Sequence, residues 1–259
     1  MRVDVALCQY VPVPGRPEEN ARTVMDSIEN LDADVLLFPE MFLTGYGSPC
    51  SDMRETVEAC IDGISDACRR SDKAVAIGSP RYDDDTMYNS LALLSPDGDR
   101  WYDKAHLARF GVYAETGFEA GSSPTIGYYH GMGFGMCICY DVFFPEILHG
   151  CSLNGTSLNI CAAASATQSK PFLDRILPAR ALEDVTYTAF INNVGDMDGL
   201  TMHGCSRGLD PFGETLASCG TSEGAVTFTV DGDVLEKARE TRRHLSDFRS
   251  DVDWGIQRF

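Results

Sequence analysis

Short continuous apolar runs alternate with amphipathic stretches along this chain, a pattern that predicts a layered α/β fold. Arg2–Cys8 reads as a strand, and a helix follows from about Pro17, with Ala21, Val24, Met25, Ile28 and Leu31 at three-and-four spacing. Asp34–Phe38 is an apolar strand closed by Pro39, Asp52–Arg70 looks helical, and Ala74–Gly78 is another buried strand. Met87–Leu94 and Trp101–Tyr102 are strands around the turn Ser95-Pro96-Asp97-Gly98. In the second half, Phe134–Ile138 is a strand, and Pro145 suits the first turn of a helix running to about Cys151. Ser157–Ile160 reads as a strand, Pro171–Asp184 as a helix and Tyr187–Asn192 as a strand. Strands at Ser206–Leu209, Glu214–Ser218 and Ala225–Val230 precede a helix from about Asp231.

No repeat, low-complexity tract or linker interrupts this pattern, so residues 1–259 read as a single domain. At 259 residues, 44% of them hydrophobic, the chain can bury one sizeable core. The tail 244–259 carries Trp254 and Phe259, apolar groups that suit either a partner subunit at a dimer interface or the chain's own core. No apolar run approaches the length of a membrane span.

Charge narrows the partners. Lys and Arg number 21 against 39 Asp and Glu, a formal −18. Such a surface repels phosphate backbones and anionic headgroups, which argues against nucleic acid and membrane partners. Lysine occurs only at Lys73, Lys104, Lys170 and Lys237, so a lysine needed for chemistry has few possible positions. Ten cysteines would suggest disulfides in a secreted protein, but Met1–Gln9 lacks an apolar signal core, and Asp4 interrupts it. The expectation is a cytoplasmic protein with reduced thiols, most of them small buried hydrophobes. No C-x-x-C pair or zinc-like His spacing points to a metal.

Three segments place a reactive side chain just beyond a strand, where open α/β folds build their sites. Glu40 follows the apolar run Val35–Phe38 and Pro39; poor solvation there should raise its pKa and suit it to general-base work, or it could be an exposed loop acid. Lys104, in Trp101–Leu107, could stabilise an oxyanion, or it could be a snorkelling surface residue. His106 beside it could serve as the base of a Cys–His hydrolase, or as a hydrogen-bonded structural residue. Cys139 ends the strand in Gly133–Glu146 shortly before a helix start, where N–H groups and the helix dipole would lower the thiol pKa; taken alone, it could equally be a buried core residue. Cys137 lies within that strand and is assigned to packing.

Taken together and in order, Phe38-Pro39-Glu40 with Gly45-Tyr46, Lys104-Ala105-His106-Leu107, and Ile138-Cys139-Tyr140-Asp141 with Phe144-Pro145-Glu146 resemble the nitrilase superfamily of carbon–nitrogen hydrolases. Supporting matches include Gln9, Asn20, Glu115 with Phe118 and Gly121, Arg180-Ala181-Leu182-Glu183, Asn193 and Asp210–Glu214, so the resemblance runs from residue 1 to about 230. It implies a four-layer α-β-β-α sandwich, usually paired into homodimers. In residue terms, it implies Cys139 as nucleophile, Glu40 as general base, and Lys104 with the Tyr140 backbone N–H as oxyanion hole. Glu115 would position the substrate or help proton transfer, and Tyr46 and Phe143 would border the substrate. The implied reaction is hydrolysis of a small-molecule amide through a thioester, needing no cofactor or metal.

Substrate class rests on departures from the family pattern. Nitrilases proper typically carry Cys-Trp-Glu where this chain has Cys139-Tyr140-Asp141, which favours an amidase; N-carbamoyl hydrolases usually have Trp in place of Tyr140. Relatives acting on dicarboxylate mono-amides usually carry Arg where Phe143 stands, so a neutral or apolar acyl group is expected. An N-carbamoyl hydrolase or a nitrilase is the alternative enzyme, and a catalytically idle ligand-binding relative is the alternative class. Pocket shape is assigned to loops at Cys161–Thr167 and Gly195–Met202.

Overall fold

The alternation within one strand sets the layering. In β1 (Arg2–Gln9), Val3, Val5 and Leu7 belong to one apolar cluster and Ala6 and Cys8 to another, because successive side chains point to opposite sheet faces. The structure is a computed structural model that describes residues 1–109, 114–197 and 199–252.

The first half continues with α1 (Pro17–Asn30), β2 (Val35–Leu37), α2 (Arg54–Ser71), β3 (Ala74–Asp83), β4 (Thr86–Leu94) and β5 (Arg100–Asp103). The second runs β6 (Ile126–Tyr129), β7 (Met132–Ile138), α3 (Pro145–Leu153), β8 (Leu158–Ala163), α4 (Lys170–Asp184) and β9 (Tyr187–Asn192). It ends with β10 (Val194–Met197), β11 (Leu200–His203), β12 (Arg207–Leu209), β13 (Thr215–Ser218), β14 (Gly224–Asp231) and α5 (Gly232–Thr241). Two six-stranded sheets result, ordered β14-β1-β2-β3-β4-β5 and β13-β12-β9-β8-β7-β6.

Both sheets follow one plan. A parallel trio lies in the middle, β1-β2-β3 in the first and β7-β8-β9 in the second, with antiparallel strands on either side. Ala21, Val24 and Ile28 of α1 and Val57, Ile61 and Ile64 of α2 pack on the outer face of the first sheet with Leu36, Val75 and Ile77. Leu173, Leu177 and Ala181 of α4 join the cluster containing the second sheet, and that cluster continues between the sheets to Val5, Leu37 and Leu93. This is the four-layer α-β-β-α sandwich, and it brings the carboxyl ends of both parallel trios to one region.

Several bounds differ from expectation for identifiable reasons. β3 runs on past Gly78 to Asp83, because its hairpin with β4 extends the ladder through Pro80 and Arg81, where the apolar pattern has already stopped. β6 and the β10–β11 hairpin were not apparent in the pattern. The hairpin occupies much of the expected Gly195–Met202 loop, and Cys161–Ala163 belong to β8. The tail begins by packing on its own chain: His244 Nε2 lies 2.9 Å from the Glu183 carbonyl, and Phe248 meets His149 edge-on at 5.4 Å. Trp254 and Phe259 lie outside the described residues. Among those residues, no helix is long and apolar enough to cross a membrane.

Candidate active site

Glu40 stands in the turn after β2. That turn needs Met41 at φ 53° and an approach so close to β3 that a Cβ on Gly78 would fall 2.3 Å from both Met41 N and Pro39 O. Only glycine fits there. Glu40 is fully buried, and three donors reach its carboxylate. Its Oε1 accepts from Lys104 Nζ and Asn89 Nδ2, both at 2.7 Å, and its Oε2 accepts from the Ala164 N–H at 2.8 Å. The Asn193 side chain donates to its backbone carbonyl at 2.9 Å.

Lys104 follows β5 directly and is also fully buried. Besides Glu40, its ammonium donates to Glu115 Oε1 at 2.8 Å. Glu115, 4% exposed, takes a second bond from Asn89 Nδ2 at 2.8 Å and a third from the Ala108 N–H at 2.6 Å. One cation thus bridges two carboxylates, and Asn89 bridges the same two.

Cys139 opens a 3-10 turn, Cys139–Phe143, immediately after β7, with φ 48°. A left-handed cysteine costs on the order of 1–3 kcal/mol, so its surroundings must hold it there. Asp141 does so from one side, accepting from Tyr102 Oη at 2.7 Å, the His106 N–H at 2.8 Å and the Ile138 N–H at 3.3 Å. Arg180 on α4 does so from the other, donating to the Val142 carbonyl at 2.8 Å and the Phe143 carbonyl at 3.3 Å. Cys139 Sγ itself lies 3.5 Å from Ser165 Oγ.

Electrostatically, the group acts as a unit. Burial would lower the Lys104 pKa, but Glu40, Cys139 and Glu115 together hold it well above the ordinary lysine value. Burial and then Glu40 push the Glu115 carboxyl up, and Lys104 only partly opposes them. The Cys139 thiol is also pushed up, first by burial and then by Glu40, with Lys104 and Ser165 pulling the other way. This corrects the expectation of a lowered thiol pKa. Cys139 does stand at a strand end before a helix, but desolvation outweighs what the turn supplies. A thiol in this position needs a base to take its proton.

The three segments singled out in the sequence therefore converge. Both Glu40 and Lys104 act on the Cys139 sulfur, and Glu115 joins them through Lys104. Tyr46 and Glu115 line a cavity of about 360 Å³ with Met41, Cys50, Met87 and Phe118. A larger groove of about 630 Å³ runs along α5 at Leu235, Arg239 and Arg243 and touches none of these residues. Tyr140 packs edge-on against Phe144 at 5.2 Å, and Phe143 is 37% exposed. His106 is committed elsewhere: its Nδ1 pairs with Asp141 at 2.9 Å and its ring stacks on Phe144 at 3.6 Å, which makes it structural. Cys137 is wholly buried in the core, as assigned.

Sequence reasoning gave no role to Asn89, Asp141 or Ser165. Asn89 and Ser90 are polar interruptions in the otherwise apolar end of β4, the one available hint for Asn89. Asp141 lies inside the quoted motif, yet nothing in the pattern shows that it ties down the turn. Among the described residues, no group of three or more His, Cys, Asp or Glu side chains is placed to hold a metal ion.

Comparison with known proteins agrees with this fold. The family model for carbon-nitrogen hydrolases matches residues 4–240. A hydrolase encoded in the pqqF 5′ region of Pseudomonas protegens is 31% identical over 96% of this chain and 90% of its own. An (R)-stereoselective amidase from a Pseudomonas species is 28% identical over 93% of this chain and 90% of its own. Among solved structures, a CN-hydrolase superfamily protein from Xanthomonas campestris superposes with a TM-score of 0.87 at 24% identity, covering 97% of this chain and 99% of that one.

Proposed function

Because this chain belongs to the carbon-nitrogen hydrolase family, we propose that it hydrolyses a small-molecule amide to a carboxylate and ammonia or an amine through a thioester on Cys139. The observation that carries this reading is the buried Glu40–Lys104–Glu115 bridge acting on a cysteine held at positive φ. The (R)-stereoselective amidase among its relatives is in keeping with an amide substrate.

In this mechanism Glu40 takes the thiol proton as Sγ attacks the amide carbon, since the raised thiol pKa leaves little free thiolate. The oxyanion that forms receives hydrogen bonds from Lys104 Nζ and the Tyr140 backbone N–H. Lys104 keeps its proton throughout, because its carboxylate neighbours favour the cation. The proton on Glu40 passes to the departing nitrogen. Water then gives a proton to Glu40 and attacks the thioester, and the sulfur leaves and recovers that proton. Glu115, whose carboxyl is pushed up, orients the substrate amide and shares in proton transfer.

Phe143, in place of a cation, argues for a neutral acyl group, as does the cavity beside Glu115, which among the described residues has no other charged lining side chain. A cytoplasmic homodimer completes this reading, in keeping with the resemblance. An ammonia-release screen over short aliphatic, aromatic, carbamoyl and dicarboxylic amides tests the proposal. Neutral amides should turn over, and Cys139→Ala and Glu40→Gln should each abolish release. A strong preference for mono-amides of dicarboxylates would overturn the acyl assignment. No turnover on any amide, with no adduct on Cys139, would support a ligand-binding protein instead.

A further inference from the structure

The chain beyond β8 reaches both sides of the site through adjacent residues. The Ala164 N–H donates to Glu40 Oε2 at 2.8 Å, and the next side chain, Ser165 Oγ, sits 3.5 Å from Cys139 Sγ. That sulfur is the one hydrogen-bond partner of the Ser165 hydroxyl among the described residues. A buried hydroxyl with a single partner, and that partner the candidate nucleophile, calls for an explanation.

The backbone of Ser165 is fixed on both sides by one amide. Its N–H donates to Asn192 Oδ1 at 2.8 Å, and its carbonyl accepts from Asn192 Nδ2 at 3.1 Å. Asn192 is held in turn through its own N–H, which donates to Ser206 Oγ at 2.9 Å, and Ser206 Oγ donates to Gln9 Oε1 at 2.7 Å. Gln9 Nε2 ends the series on the Gly220 and Ser222 carbonyls at 2.9 and 2.7 Å. Gln9, Asn192 and Ser206 are fully buried and Ser165 is 6% exposed. Every member is neutral, so this array positions a donor without adding charge to a site that already holds two carboxylates.

We propose that Ser165 is a further catalytic residue, its hydroxyl donating a hydrogen bond to the Cys139 sulfur whenever that sulfur carries negative charge, on a backbone held by Asn192. The proposal rests on the thioester reading above. A hydroxyl turns freely, so it can accept from the resting thiol and donate to the thiolate, and a hydrogen bond to an ion is roughly twice as strong as a neutral one. The sulfur is anionic twice in each turnover, as it attacks and as it leaves the second tetrahedral intermediate. The ionisable groups facing it are Glu40, Lys104, Tyr46 and Cys161, with Glu115 behind Lys104. Of these only Lys104 favours the thiolate, and its ammonium is shared between two carboxylates. Ser165 is the neutral supplement to that divided cation.

The test uses alkylation of Cys139 by iodoacetamide as a function of pH, which needs no knowledge of the natural substrate. Ser165→Ala should move the alkylation midpoint upward by about one pH unit and lower kcat/KM by about ten- to a hundredfold, mostly in kcat. Ser165→Thr, which keeps the hydroxyl, should restore most of both. Ser165→Cys, of similar volume and with a weaker donor, should shift the midpoint in the same direction, and it serves if the alanine variant does not fold. An unchanged alkylation profile in Ser165→Ala or Ser165→Cys overturns the proposal. Failure of the hydrolase reading looks different: the wild-type protein would release no ammonia from any amide while its alkylation profile still reported on Ser165.

Discussion

The two sheets supply the site with different kinds of chemistry. From the first come Glu40 beyond β2 and Lys104 beyond β5, both fully buried and both charged in the proposed mechanism, with Glu115 tied to them. From the second come Cys139 beyond β7, Ser165 beyond β8 and Asn192 at the end of β9, all uncharged in the resting protein. On the charged side, order comes from mutual attraction where water is excluded, and each ion depends on its partner. On the neutral side, order comes from amide and hydroxyl groups that fix backbone atoms. The charged side should therefore respond to pH, and the neutral side should not.

Removing the shared cation breaks this comparison most severely. Lys104→Met leaves two buried carboxylates unpaired and should cost about 3–5 kcal/mol of stability at neutral pH, read from urea midpoints. The sign with pH follows from the carboxyls. Glu115 is already pushed up in the native protein, and without Lys104, which opposes that shift, it would rise further. Stability that depends on its being protonated is present at low pH and lost as pH rises, so the cost should shrink toward pH 5. A cost independent of pH would contradict the buried-charge account.

On the neutral side, Asn192→Ala leaves the Ser165 N–H and the Ser165 and Gly204 carbonyls without their side-chain partner. That should cost about 1–3 kcal/mol, since unpaired buried polar groups carry a desolvation penalty. The cost should be the same between pH 5 and 8. A strong pH dependence here would mean the array is electrostatically coupled to the carboxylates, and the distinction between the two sides would fail.

How much of this is legible in sequence divides along the same line. Glu40 and Cys139 announce themselves because each ends an apolar run, and Lys104 because lysine is so scarce. Tyr187–Asn192 is recovered with its bounds intact, since six consecutive buried positions leave no ambiguity of face. The β10–β11 hairpin is not recovered, because its short strands mix glycine, aspartate and methionine without alternation. The upward shift of the Cys139 thiol is not legible, because a helix start is visible in sequence and desolvation is not. Ser165 and Asn89 were invisible for a related reason: each owes its role to a partner dozens of residues away, Cys139 for the one, and Glu40 and Glu115 for the other.

The central claim is a covalent one, and rapid-quench intact-protein mass spectrometry during turnover of a slow neutral amide tests it directly. The account predicts a mass increase equal to the amide minus ammonia, confined to the peptide that contains Cys139 and absent from Cys139→Ala. Hydrolysis that continues in Cys139→Ala, with no acyl adduct on the wild-type protein, would contradict it.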